Sequence, residues 1–318
     1  MESQDVEARP AALPLTAPTV QDAAREKRLV ALSSVIAAIF LTGFKLIVGL
    51  ATGSLGILSE ALHSGLDLMA AAITLFAVRI SDRPADAEHL YGHGKVENLS
   101  ALAETVLLLV TCIWVVYEAI QRLFFRPVEV DASLWAFGVM GFSIIIDISR
   151  SRALMKAARK HNSQALEADA LHFSTDVWSS TVVIFGLIGV RLASAYPSLA
   201  FLHNMDAVAG LGVALIVIYV SVQLGWRSVS GLMDTAPHGA AEKVQSLVQR
   251  VPGVVDCDHV RVRSSGADLF VEMTVRVGGD QSLAAAHAIA DRAEQAVQSI
   301  LPRADVIVHT EPAAKRRA

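Results

Sequence analysis

Six long apolar runs, at about 29–51, 56–79, 99–124, 134–155, 168–192 and 206–230, constrain this chain more than any other feature. A helix needs about 20 mostly apolar residues to cross a bilayer, and each run is long enough. Lipid offers backbone N–H and C=O groups no partner, so runs of this kind predict membrane-spanning helices, which bond internally. Composition agrees: 53% of the 318 residues are hydrophobic and only 18% are charged, against about a quarter in soluble domains. A formal net charge of −4 gives no basic footprint for nucleic acid, which is not an expected partner. Cys112 and Cys257 make neither a disulfide framework nor a thiolate zinc finger.

Lys and Arg set the expected orientation. The N-terminal segment and the connections at 80–98 and 156–167, with the run ends beside them, carry Arg25, Lys27, Arg28, Arg79, Arg83, Lys95, Arg150, Arg152, Lys156, Arg159 and Lys160. The opposite side has Arg122, Arg126 and Arg191. By the excess of positive charge on cytoplasmic loops, both termini are predicted to be cytoplasmic. Residues 1–28, rich in Ala, Pro, Glu and Gln, read as a disordered tail, and no A-x-A cleavage site follows the first apolar run. The membrane domain is expected over 29–235. From 236 to 312 the pattern becomes that of a small cytoplasmic domain, followed by a basic tail at 313–318. Helical spacing at 240–251 and 282–300, with strand patterns at 254–263, 268–277 and 304–309, predicts an αββαβ order. That order suits a two-layer α+β domain.

Ionisable groups in a span cost about 2.5–3.5 kcal/mol each on insertion scales and mark pathways unless they snorkel. The second run holds Glu60, His63 and Asp67; the fifth holds Asp169, His172 and Asp176. Both contain His-x-x-x-Asp, a spacing that puts one imidazole and one carboxylate on a single helix face. Two such helices facing each other offer two nitrogens and two carboxylates to one point, a set that tetrahedral zinc accepts. Two aspartates balance a divalent charge, and the empty site can take protons instead, so metal and proton compete there. Each His-Asp couple alone could instead be a hydrogen-bonded pair holding helices together. Lys45 is expected to snorkel, Asp147 to pair with Arg150 three residues on, and Glu104 and Glu118 could line a cavity.

The 80–98 connection clusters Asp86, His89 and His93, with Gly92 and Gly94 between and after them. This loop is compatible with a metal site and equally with a solvated surface. It lacks the phosphate-loop spacing. In the C-terminal part, Asp258, His259, His287, His309 and Glu311 are scattered, except that His309 and Glu311 share a strand face.

Three segments resemble the cation diffusion facilitator family: Gly-Ser-Leu-Gly-Ile-Leu-Ser-Glu-Ala-Leu-His63-Ser-Gly-Leu-Asp67, Tyr-Gly-His93-Gly-Lys95-x-Glu97, and Ala-Asp-Ala-Leu-His172-Phe-Ser-Thr-Asp176. Asp-Val-Ile-Val-His309-Thr-Glu-Pro matches too, and the likeness runs from about 28 to 312. The resemblance implies a homodimer of six-helix protomers in the bilayer, each with a metallochaperone-like cytoplasmic domain. It also implies proton-coupled export of divalent metal by alternating access, in the inner membrane if the source is bacterial. The transport site carries over to His63, Asp67, His172 and Asp176, and His at the first position resembles the zinc carriers. The loop site carries over to Asp86, His89 and His93. The cytoplasmic metal site carries over only in part, to His287, His309, Glu311 and Asp258. Asp258 stands where His is often found, and Thr274 replaces another His. Lys95 and Asp234 match a pair that interlocks protomers.

The expected cargo is therefore Zn²⁺, which could also be structural or regulatory, with Cd²⁺, Fe²⁺, Mn²⁺ and Co²⁺ as alternatives, since all bind N/O ligands. Two other readings stay open. An integral-membrane metalloenzyme would need an open coordination position, and no His-Glu-x-x-His is present. A membrane-anchored metal sensor would make the membrane pairs dispensable. Neither a Walker A nor an Asp-Lys-Thr-Gly motif supports an ATP-driven pump. An enzyme is not expected.

Overall fold

The computed structural model describes residues 20–124, 134–195 and 205–313. Six long helices come first: α1 (Val20–Thr52), α2 (Leu55–Ser81), α3 (Lys95–Phe124), α4 (Leu134–His161), α5 (Gln164–Ala195) and α6 (Met205–Leu232). Each of the six predicted runs lies within one of them, and the helices run on past the apolar limits at one end or both. The largest difference is at the start. Residues 20–28, expected in the tail, are helical, and Lys27 there is buried against Asp82 and Glu97 at 2.6 and 3.0 Å. An ion pair of that kind gives a polar segment a reason to order that hydropathy does not register. The rest of the tail, Arg126 and residues 314–318 lie outside the described residues, as do the side chains of Arg122, Arg191 and Glu118.

Among the described residues four helices are long and apolar enough to cross a membrane by themselves: Gln21–Thr52, Ile57–Ser81, Lys95–Trp114 and Leu211–Leu232. Helices α4 and α5 carry more charge, and the bundle turns much of it inward. Arg150, Asp169 and His172 are all buried. Arg150 bonds Asp147 at 3.2 Å, as expected, and its guanidinium lies 3.5 Å above the Phe173 ring. Lys45 departs from expectation. It is 4% exposed and bonds Ser64 at 2.8 Å and Glu60 at 3.3 Å, so it pairs inside the bundle instead of snorkelling. Leu, Ile, Phe and Trp side chains face outward along the helices, for example Ile36, Ile47, Phe76, Trp114 and Trp226. A polar interior with an apolar exterior is the arrangement that lipid selects.

The C-terminal domain follows as α7 (Ala240–Val248), β1 (Val254–Ser265), β2 (Asp268–Val277), α8 (Leu283–Ile300) and β3 (Ala304–Pro312). This is the αββαβ order the sequence predicts. The sheet order is β1-β2-β3, with β1 antiparallel and β3 parallel to the central β2. Alternation along β2 sends Val271, Met273, Val275 and Val277 to one face, where they meet Val244 and Val248 of α7 and Ile289, Ala293 and Val297 of α8. The helical spacing of the last three builds one apolar stripe against the sheet. A β1 register shift between Asp258 and Arg261 contains His259, whose φ is 49°.

The two domains touch through the 80–98 connection. Arg263 lies 3.9 Å from the Tyr91 ring centroid, and Tyr91 packs edge-on against Phe270 at 5.2 Å. A side chain at Gly94 would collide with the Ser265 backbone, so this close approach requires glycine.

Candidate metal centre

Helices α2 and α5 bring their His-x-x-x-Asp faces together. His63 Nε2 lies 3.9 Å from Asp67 Oδ1 and 3.7 Å from Asp176 Oδ1. His172 Nε2 lies 3.1 Å from Asp67 Oδ1 and 3.6 Å from Asp176 Oδ2. Each imidazole thus faces both carboxylates, and the four groups close a ring. Donors about 2.0–2.2 Å from a tetrahedral zinc stand about 3.3–3.6 Å from each other. The four gaps straddle that range, and one donor atom each from His63, Asp67 and Asp176 lies within 4.8 Å of the other two, with His172 closing the ring from the α5 side. Asp67 and His172 are buried, whereas the His63 side chain is 34% exposed, so the ring opens on the His63 side. Asp176 Oδ2 and His172 Nδ1 are buried with no hydrogen-bond partner in the protein. Asp67 Oδ1 meets His172 Nε2 at 3.1 Å, so the ring combines one paired carboxylate with one that keeps an unpartnered oxygen.

The loop cluster also assembles. His89 Nδ1 is 3.1 Å from Asp86 Oδ1, and His93 Nε2 is 3.3 Å from Asp86 Oδ2. One donor atom from each of the three residues lies within 4.8 Å of the other two. Asp86 accepts the backbone N–H groups of His89 and Glu88, at 2.7 and 3.0 Å. The His89 N–H, ahead of that of Glu88, holds the carboxyl below its usual range. Gly92, with φ of 75°, makes the turn that returns His93 to Asp86.

The C-terminal candidates do not converge within the chain. His309 and Glu311 lie 3.6 Å apart on the open face of β3, as their spacing predicts. His287 stands in the helix layer on α8, paired with Asp291 at 3.7 Å. Asp258 is held at 2.6 Å by Arg276, a neighbour that only strand register reveals. Lys95 and Asp234, expected to interlock protomers, instead form a 3.0 Å ion pair inside one chain, joining the start of α3 to the turn after α6. Sequence reasoning missed the Lys45–Ser64–Glu60 contacts and the Arg263–Tyr91–Phe270 stack, since neither shows as a local motif.

Comparison with known proteins places these observations in a family. Residues 31–233 match the cation efflux transmembrane domain, and residues 236–313 match the cation efflux protein cytoplasmic domain. The cation-efflux pump FieF of Yersinia enterocolitica is 32% identical over 92% of this chain and 94% of its own length. The FieF pump of Cronobacter sakazakii is 32% identical over 89% and 91%. A solved MamM-CTD structure covers 24% of this chain and 96% of its own, at 26% identity and a TM-score of 0.23, too low to build on. With a polar four-residue centre inside the bundle and both domains matched, the chain belongs to the cation efflux family, the cation diffusion facilitators, and is an integral-membrane transporter of divalent metal, not an enzyme.

Proposed function

We propose that the chain exports Zn²⁺ from the cytoplasm in exchange for protons, with His63, Asp67, His172 and Asp176 as the transport ligands. The observation that carries this reading is the closed ring of two imidazoles and two carboxylates, with neighbouring gaps of 3.1–3.9 Å. Two nitrogens and two carboxylate oxygens match zinc's tetrahedral preference better than the all-oxygen octahedron of Mg²⁺ or Mn²⁺. Two aspartates neutralise the ion, so the loaded site carries no net charge through the apolar bundle. The same four groups are bases, and protons arriving from the far side displace the metal. The protonated site then returns, and the cycle is antiport.

Metal is held at Asp86, His89 and His93 on the cytoplasmic face, where the Tyr91 contact links the loop to the C-terminal domain. Both termini lie in the cytoplasm, in the inner membrane of a bacterial host. The protein acts as a homodimer: a second copy supplies the ligands that His309 and Glu311 lack within one chain, and the intrachain Lys95–Asp234 pair fixes the start of α3 against the end of α6 beside that interface. An exposed pair of this kind stabilises little by itself, so its role is placement.

The test is metal flux into proteoliposomes holding the full-length protein under an imposed pH gradient. Asp176→Ala is expected to abolish Zn²⁺ flux and the accompanying proton movement. Unchanged rates would remove the four-ligand assignment.

A further inference from the structure

Two fully buried carboxylates of the bundle lie outside the four-ligand ring and meet no cation side chain within ion-pair distance among the described residues. Glu104 of α3 and Asp169 of α5 are each 0% exposed. Elsewhere in the bundle, Glu60 meets Lys45 and Asp147 meets Arg150, but among the described residues neither Glu104 nor Asp169 has an ion pair. Hydroxyls satisfy one oxygen of each. Thr74 donates to Glu104 Oε1, as does Ser100 at 3.3 Å, and Ser34 donates to Asp169 Oδ2 at 3.2 Å. Ser34 in turn accepts from Arg150 at 3.1 Å. The second oxygens, Glu104 Oε2 and Asp169 Oδ1, are buried with no hydrogen-bond partner in the protein.

The two residues are neighbours by construction of the bundle. Helices α3 and α5 both start beside the cytoplasmic domain, where Ser163 donates to Glu97 at 2.6 Å. A turn and a half further on, Ala101 and Ala168 pack in one cluster. Glu104 follows Ala101 by one turn and Asp169 adjoins Ala168, one turn before His172. The pair therefore lies on the cytoplasmic side of the four-ligand ring. Buried carboxylate oxygens without donors are costly, and they persist where a ligand meets them.

We propose that Glu104 and Asp169, with the hydroxyls of Thr74, Ser100 and Ser34, form a second divalent-cation site that loads the four-ligand centre from the cytoplasm. This rests on the efflux reading above. The donor set is all oxygen, and its two carboxylates balance one divalent charge. Such a site holds a transition-metal ion less tightly than one with two imidazoles. A cation that sheds water at Glu104 and Asp169 then passes downhill to His172 and its partners.

The experiment uses the full-length protein in nanodiscs with Mn²⁺ as probe, counted by electron paramagnetic resonance. In a background of Asp67→Asn, Asp176→Asn, His89→Ala and His93→Ala, adding Glu104→Gln and Asp169→Asn is expected to remove one bound Mn²⁺ per chain. An unchanged count overturns the site, including the case where the pair holds only protons. Glu104→Gln alone, isosteric and monitored for folding by gel filtration, is expected to raise the transport KM for Zn²⁺ about tenfold while kcat holds. An unaltered KM also overturns it. If Asp176→Ala leaves transport intact while the Mn²⁺ count still falls, the four-ligand assignment fails and the second site stands.

Discussion

The membrane bundle and the cytoplasmic domain treat their histidines in opposite ways. In the bundle, His63 and His172 sit with Asp67 and Asp176 in one ring, each within 3.9 Å of both carboxylates. In the cytoplasmic domain, the His287 and His309 side chains are 76% and 70% exposed, on different layers, and each meets one nearby acid. Lipid and water explain the difference. Inside a span a polar group must find partners within the protein, so its presence already predicts convergence. On a water-facing surface the solvent satisfies it, and position in the sequence says little about company.

Removing a ligand from each region sharpens the contrast. His172→Ala is expected to cost about 100-fold or more in Zn²⁺ flux, since outer-shell changes at metal sites already cost about 10–100-fold. In the same assay, His309→Ala or His287→Ala is expected to change saturating flux less than about twofold, because neither side chain joins a closed ligand set within the chain. Equal losses in both regions would erase the distinction.

The connection between the regions should respond at an intermediate level. Gly94→Ala drives a methyl group into the Ser265 backbone and so separates the 80–98 loop from the β1–β2 hairpin. Flux is expected to fall several-fold with transport-site metal binding kept, a pattern read by pairing transport rates with Zn²⁺ stoichiometry. Within the cytoplasmic core, Val275→Ala should lower domain stability by about 1–3 kcal/mol, measured as a shift in its unfolding transition.

The smallest expected effect concerns Cys257. Burial first, then Asp256 and Asp258, push its thiol up to about 11. At pH 7–8 it is a protonated, fully buried thiol, so maleimide should label it only after denaturation. Rapid labelling of native protein would show that the domain core is looser than described.

Much of the bundle was legible because hydropathy and helical period are local. So was the clustering of His63, Asp67, His172 and Asp176, because each i, i+4 pair shares one helix face. The first nine residues of α1 do not show in hydropathy, because Lys27 is ordered by Asp82 and Glu97, which are distant in sequence. The inward pairing of Lys45 is hidden for the same reason, its partners Glu60 and Ser64 belonging to the next helix. Arg276 beside Asp258 emerges only from the β1–β2 register. Glu104 and Asp169 stood out as acids in apolar runs, yet their unpaired oxygens needed the packing of α1, α2, α3 and α5 to appear.

Zinc X-ray absorption on the full-length protein, with the loop ligands His89 and His93 replaced by Ala, tests the shared ligand set most directly. The account predicts a four-coordinate ion with N/O donors at about 2.0–2.1 Å, two of them imidazoles, and loss of that signal in Asp67→Asn. A six-coordinate, water-rich spectrum, or one that survives Asp67→Asn unchanged, would contradict it.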